Sequence, residues 1–236
     1  MYFSSTNGGR IQSIRDTIQT WFDYNYLTDS EYSFLISQLI QSADKVANTA
    51  SVYGAYLKSV KNIAQKPLDI RLNCEFVSST NTDVFCMDST FLLKYLSDKP
   101  LDFVYLDPPY NIRQYCANYH LLETIAKWDL SFFTPRGKTG LRPTALQKSR
   151  FSMRKQVMAG FFELFSSLSC QYGLLSYNNE GLLTESDLRE VMGSRFEILS
   201  FDKVPYHRFQ SDAASLRQIK ANNTTEWLIL FKSICL

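Results

Sequence analysis

Glycine is scarce in this chain: there are nine in 236 residues, and no two of them form a G-x-G. Gly8-Gly9 follow no strand-like run. Gly137-Lys138-Thr139-Gly140 lacks the leading glycine of a phosphate loop, because position 132 is Phe132. A glycine-rich phosphate loop is therefore excluded from these residues. Histidine is scarcer still. His120 and His207 are the only two, which leaves little room for imidazole chemistry, and His120 on an apolar helix reads as structural. The five cysteines, Cys74, Cys86, Cys116, Cys170 and Cys235, form no C-x-x-C. That excludes a zinc site or disulfide framework by spacing and predicts no bound metal, only free thiols in a reducing compartment. No apolar run approaches the roughly 20 residues of a membrane helix. The opening MYFSSTNGGR has no basic start before an apolar stretch, so no signal peptide and a cytoplasmic location are expected. A net charge of +2 identifies no partner by itself.

What is present supports a large core: 45% of residues are hydrophobic and 14% aromatic. Ile11, Ile14, Ile18 and Trp21 recur at helical spacing. Thr28-Asp29-Ser30-Glu31 has capping-box spacing and predicts a second, long helix through Val46-Ala47, with Ala50 to Ile63 continuing it or forming a third. Pro67 ends this helical part. Beyond it, short apolar runs at Val84–Met87, Phe103–Leu106, Gly173–Tyr177, Phe196–Phe201 and Trp227–Phe231 alternate with helix-like stretches. Those stretches are Thr90–Leu96, Ala117–Trp128, Lys148–Leu168 and Glu185–Met192. The alternation predicts an α/β fold with a mostly parallel sheet, and two parts: a helical region over 1–72 and an α/β portion over 73–236.

One strand ends abruptly. Phe103-Val104-Tyr105-Leu106 runs straight into Asp107-Pro108-Pro109-Tyr110. In an open parallel sheet, ligands bind beyond the carboxyl ends of strands. Two prolines stiffen the backbone and remove two N–H donors while their carbonyls remain acceptors. The outcome is a rigid acceptor edge, the Asp107 carboxylate and the Pro108 carbonyl, with the Tyr110 ring beside it. Such an edge suits a flipped nucleobase: two amino N–H groups are accepted while the ring stacks. The same four residues are also compatible with a plain rigid turn after a strand.

With its surroundings, this motif resembles the D12 class of adenine-specific DNA methyltransferases. The likeness extends over DPPYNIRQYCANYHLLETIAKWD, GKTGLR, SYNNEG, VPYHRF and TTEWLILF, and over the earlier YFSSTNGGRIQSIR and ADKVANTASVYGAYLK. It implies a Rossmann-like methyltransferase sheet, here incomplete, with an N-terminal helical region facing DNA. It also implies restriction–modification chemistry: methyl transfer from S-adenosylmethionine to N6 of adenine in double-stranded DNA. Asp107 and Pro108 would hold the amino group, Pro109 would set the shape and Tyr110 would stack on the base. Asp88 in VFCMDSTF, Phe91 and Asp107 would lie at the cofactor. Asp88 can equally cap the helix that follows it.

The family's Phe-x-Gly-x-Gly turn, which cradles the cofactor's methionine end, is absent. The chain is therefore expected to correspond to a C-terminal portion, with a partner polypeptide supplying the front half. A truncated, inactive remnant that binds only DNA or a partner is one alternative, and a fragment of a longer polypeptide is a third explanation of the missing turn. Amino-methyl transfer to cytosine N4 or to RNA is another alternative. For nucleic acid, the acid-free run Arg136, Lys138, Arg142, Lys148, Arg150, Arg154 and Lys155 predicts phosphate contact, a solvated face being the alternative. Lys58, Lys61 and Lys66 form a second basic strip. Arg113, Gln114, Tyr115, Asn118 and Tyr119 are placed to hold an extruded nucleotide, although one of the two tyrosines can instead belong to the core. His207 and Arg208 read as a turn near DNA or a solvent-facing loop.

Overall fold

A computed structural model describes residues 1–50, 52–72, 82–96, 100–132, 134–143, 147–193, 195–207 and 223–234. The chain divides into two compact units: Met1–Asn81 with Tyr115–Lys148, and Thr82–Gln114 with Ser149–Leu236. The segment that follows D-P-P-Y thus leaves the second unit after Gln114 and returns to it at Ser149.

In the first unit, α1 (Ser5–Asp23) and α2 (Asp29–Lys45) pack together and α6 (His120–Lys127) packs on α2. Ile11, Ile18, Ile36, Leu39, Ala43, Val46, Leu68 and Ile125 form the core. The predicted capping box is present: the Thr28 hydroxyl accepts from Glu31 N–H, and the Glu31 carboxylate accepts from Thr28 N–H at 2.8 Å. Arg15 is fully buried. Its guanidinium donates to the carbonyls of Ile125 and Ala126 near the end of α6, to Gln19 and to the Tyr32 hydroxyl. A helix C-terminus leaves carbonyls without intrahelical donors, and Arg15 supplies them.

The helix expected over Ala50–Ile63 does not form. Among the described residues only α3 (Asn62–Gln65) is helical there. Two buried asparagines bind the backbone of this region as it turns. Asn48 donates to the carbonyls of Met1 and Leu57 and accepts from Lys61 N–H. Asn7 donates to Lys66 O and accepts from Leu68 N–H. These side chains satisfy several backbone groups of the stretch without helical hydrogen bonds.

The second unit holds one sheet in the order β1-β2-β4-β3: β1 (Leu101–Leu106), β2 (Cys170–Asn178), β3 (Phe196–His207) and β4 (Asn223–Ser233). Only β1–β2 is parallel; β2–β4 and β4–β3 are antiparallel. The expected mostly parallel sheet is thus corrected, because the last two strands form an antiparallel pair set against β2. Helices α7 (Val157–Ser167) and α8 (Glu185–Met192) supply Phe161, Leu164, Phe165, Leu188 and Val191 to the core, where they join Leu175, Tyr177, Phe196, Ile229 and Phe231. Each large apolar side chain fully buried this way contributes about 2–3 kcal/mol. The predicted strand over Val84–Met87 is absent. Those residues are exposed and pair with nothing among the described residues, and an apolar run makes a strand only when a ladder partner adjoins it. Helix α4 (Ser89–Tyr95) follows and packs on α7.

Among the described residues β1 pairs only with β2, so it forms an edge of the sheet. Phe103 and Tyr105, alternate residues on one face of β1, are 53% and 56% exposed.

Candidate active site

Strand β1 delivers Asp107 to the carboxyl end of the sheet's parallel pair. Leu106 lies opposite Leu175, and β2 runs on to Asn178. Asp107 is exposed, and among the described residues no hydrogen bond or ion pair engages its carboxylate. Pro108 and Pro109 are half-buried, and every peptide bond among the described residues is trans. Tyr110 is 37% exposed. Its ring meets that of Tyr177 edge-on at 6.5 Å, and its carbonyl accepts from Leu182 N–H at 3.0 Å. The strand end therefore presents an open carboxylate, two prolines without donors, and a ring whose backbone is held from the far side.

Ser176–Gly181 belongs to the family resemblance, but the sequence gives Tyr177 no role of its own. The available signal was Asn178-Asn179-Glu180-Gly181, a turn composition directly after a strand. The turn is tightly bonded. Asn178 Oδ1 accepts from Glu180 N–H, and both Asn178 and Asn179 accept from the Thr224 hydroxyl on β4. The Glu226 carboxylate accepts from Ser176 Oγ at 2.5 Å and from Asn178 Nδ2 at 3.3 Å.

Asp88 caps α4, its carboxylate accepting from Thr90 N–H at 2.9 Å. Phe91, 63% exposed on the same helix, has the Lys94 ammonium 5.8 Å from its ring centre.

The basic residues separate into two kinds. Arg142 is 5% exposed and donates through both terminal nitrogens to Asp129, at 2.6 Å each. This pairing holds the Asp129 carboxyl below its usual range, with burial opposing. Arg142 in this geometry braces the first unit. Arg150 likewise pairs with Glu163 at 2.6 Å and donates to Thr90. Arg136, Lys138, Lys148, Arg154 and Lys155 are exposed. Arg136 and Leu141 bond to each other through their backbones, closing a loop in which Gly137 and Gly140 take the left-handed φ of +65° and +69°. The buried His120 ring sits 2.8 Å from Thr139 O in that loop and 3.0 Å from Ala117 O.

In the segment after D-P-P-Y, Arg113 is exposed. Gln114 is committed to backbone, donating to Ser149 O at 3.1 Å and accepting from Ser149 N–H at 2.7 Å. Tyr115 and Tyr119, 58% and 41% exposed, meet edge-on at 5.7 Å near the short helix α5 (Tyr115–Asn118). Half-buried Asn118 accepts from Tyr53 N–H through its carbonyl. Lys58 is exposed and Lys61 half-buried. His207 ends β3 with its side chain outside the described residues, and Arg208 lies outside them altogether. Among the described residues no cluster of His, Cys, Asp or Glu has the make-up of a metal site, and no helix is long and apolar enough to cross a membrane.

Comparison with known proteins matches the chain to a family. Residues 2–191 fit the family described as D12 class N6 adenine-specific DNA methyltransferase. The type II methyltransferase M.NlaIII of Neisseria lactamica is 43% identical over 227 residues, covering 96% of this chain and 66% of the relative. The type II methyltransferase M.FokI of Planomicrobium okeanokoites is 35% identical over 217 residues, 89% of this chain and 32% of the relative. The modification methylase StsI of Streptococcus sanguinis is 32% identical over 216 residues, 91% of this chain and 32% of the relative. The chain thus spans just under two thirds of the first of these relatives and about a third of the other two. No solved structure gives a significant match. By the family match over most of its length, with the D-P-P-Y turn at its strand end, the chain belongs to the D12 class of N6 adenine-specific DNA methyltransferases.

Proposed function

We propose that this chain carries the target-base half of an enzyme that transfers a methyl group from S-adenosylmethionine to N6 of adenine in double-stranded DNA. The observation that carries the reading is the open Asp107 carboxylate at the end of β1, followed by two prolines and an exposed ring. Asp107 and the Pro108 carbonyl accept the two amino hydrogens of an extruded adenine. The nitrogen lone pair is then directed away from them, and Tyr110 stacks on the base. These groups act by position and electrostatics. The cofactor supplies the methyl group on a sulfonium centre. Asp88, with its exposed carboxylate, and Phe91, with its exposed ring, suit the adenosine end of that cofactor. No residues here suit its methionine end, since the chain has no G-x-G.

The proposal therefore includes polypeptide beyond these 236 residues, separate or continuous, that carries the glycine turn. The edge of β1, unpaired among the described residues, and the exposed Phe103 and Tyr105 support this, because open edges and apolar faces favour coverage. For DNA, the exposed Arg113, Tyr115, Tyr119, Arg136, Lys138 and Lys58 are the contacts carried forward, together with Asn118 and Lys61.

The test is transfer of labelled methyl from S-adenosylmethionine to unmethylated DNA, using the chain alone and then with the product of the gene directly upstream. Label in N6-methyladenine, stronger in the mixture, is expected. Label in cytosine, or none in either arm from folded protein, would overturn the reading.

A further inference from the structure

The backbone of Tyr110 is fixed from both sides. Upstream, Pro108 and Pro109 each restrict φ. Downstream, Leu182 N–H donates to Tyr110 O at 3.0 Å. That N–H also lies 3.1 Å from the Tyr177 hydroxyl, which accepts in addition from Leu183 N–H at 3.3 Å. Tyr177 is fully buried, its ring edge-on to Phe161 at 5.7 Å, so its hydroxyl is a fixed point. The turn between Tyr177 and Leu182 is bonded at each end: Gly181 N–H donates to Asn178 O, and Asn179 exchanges bonds with the Thr225 backbone on β4. Gly181 is required by closeness. A Cβ there would lie 2.3 Å from Cε1 of Tyr177 and 2.8 Å from Asn178 O.

We infer that Tyr177 is a positioning residue for Tyr110: its hydroxyl holds the 182–183 backbone, and that backbone holds the carbonyl of the stacking tyrosine. The inference rests on the reading of Tyr110 as the base-stacking group. A ring that must receive an extruded base gains from being oriented beforehand, since the cost of ordering it is then not met at binding. No reacting atom touches Tyr177. It acts through one shared N–H.

Two measurements test this. The first needs no catalysis. A 3-fluorotyrosine at position 110 is followed by 19F NMR in the chain itself. A single resonance, shifted well away from that of the unfolded chain, is expected for the native sequence. Tyr177→Phe moves it towards the unfolded position, and Gly181→Ala does the same by displacing the Tyr177 ring. A resonance unchanged in both folded variants would overturn the inference. The second uses the assembly that transfers methyl groups. Tyr177→Phe should raise KM for DNA about tenfold with little change in kcat, and this effect should vanish in a Tyr110→Ala background. Additive effects would mean that Tyr177 does not act through Tyr110. If Tyr110→Ala alone left KM unchanged, the base-stacking reading would fall, while the 19F result would still report whether Tyr177 orders the ring.

Discussion

Asp107 and Asp129 are the same residue type in two different settings. In the first unit Asp129 is gripped by Arg142, much as the buried Arg15, Asn7 and Asn48 are bonded to backbone from distant parts of the chain. In the second unit Asp107 stands at a strand end with nothing bound to it among the described residues. The first unit uses its polar side chains to hold irregular backbone in place. At the carboxyl end of the sheet, the second leaves a strong acceptor open. An exposed carboxylate bound to no other described group adds little to the stability of the fold, and the proposed function is what gives it a partner, the adenine amino group.

The sharpest way to break this comparison is to alter both acids and ask which property each one controls. Asp107→Ala should lower methyl transfer by about 10²–10³-fold or more while leaving the urea midpoint of the chain unchanged. Retained activity would remove Asp107 from the target edge. Asp129→Asn should destabilise the chain by about 3 kcal/mol, because it removes the carboxylate that both terminal nitrogens of the buried Arg142 bond. The fraction that remains folded should transfer methyl at the normal rate. The pH dependence sharpens the point. The Arg142 pairing lowers the folded-state pKa of Asp129 below its unfolded value. Its stabilisation is therefore fully present above about pH 4 and is lost as pH falls through the folded-state value. The stability gap between the native chain and Asp129→Asn should accordingly close in acid; a gap independent of pH would mean that the pair contributes through packing alone. The smallest effect concerns the exposed bases. Arg136→Ala with Lys138→Ala should weaken DNA binding uniformly across sequences and flatten its salt dependence by about one unit of slope per residue. Arg142→Lys, by contrast, should show itself mainly in stability.

Residue patterns predicted several elements because the signals were local. Helix α8 follows the Glu185–Met192 periodicity, the Thr28–Glu31 box opens α2, and an apolar run bounded by prolines gives β1 and its turn. The failures came from partners distant in sequence. Nothing within Ala50–Ile63 indicates that Asn48 will bind the backbone of Leu57 and Lys61, or that Asn7 will bind that of Lys66 and Leu68 just beyond it. Nothing within Arg136–Lys155 distinguishes Arg142 and Arg150 from their neighbours, because Asp129 and Glu163, the acids that engage them, lie outside the run. Val84–Met87 has strand composition without a strand beside it. Of the site, the acceptor edge itself was legible. The turn over Ser176–Gly181 was legible as part of the resemblance, but its bearing on Tyr110 was not, because its bonds run to Thr224, Thr225 and Glu226, far along the chain.

The Gln114–Ser149 pair has a consequence for the evolution of the chain. One side chain bonds both backbone groups of a single residue, at the point where the polypeptide departs from the second unit and where it rejoins it. Everything from Tyr115 to Lys148 is thus an excursion whose two ends are tied together beside the strand-end turn. The entropy of closing such a loop grows only slowly with its length, by about 0.6 kcal/mol per doubling. The sheet therefore feels little of what is inserted or deleted there. Changes in the loop between Arg136 and Leu141 would leave the strand that carries the acid in place, whereas α6 of the same segment is fixed by the core of the first unit.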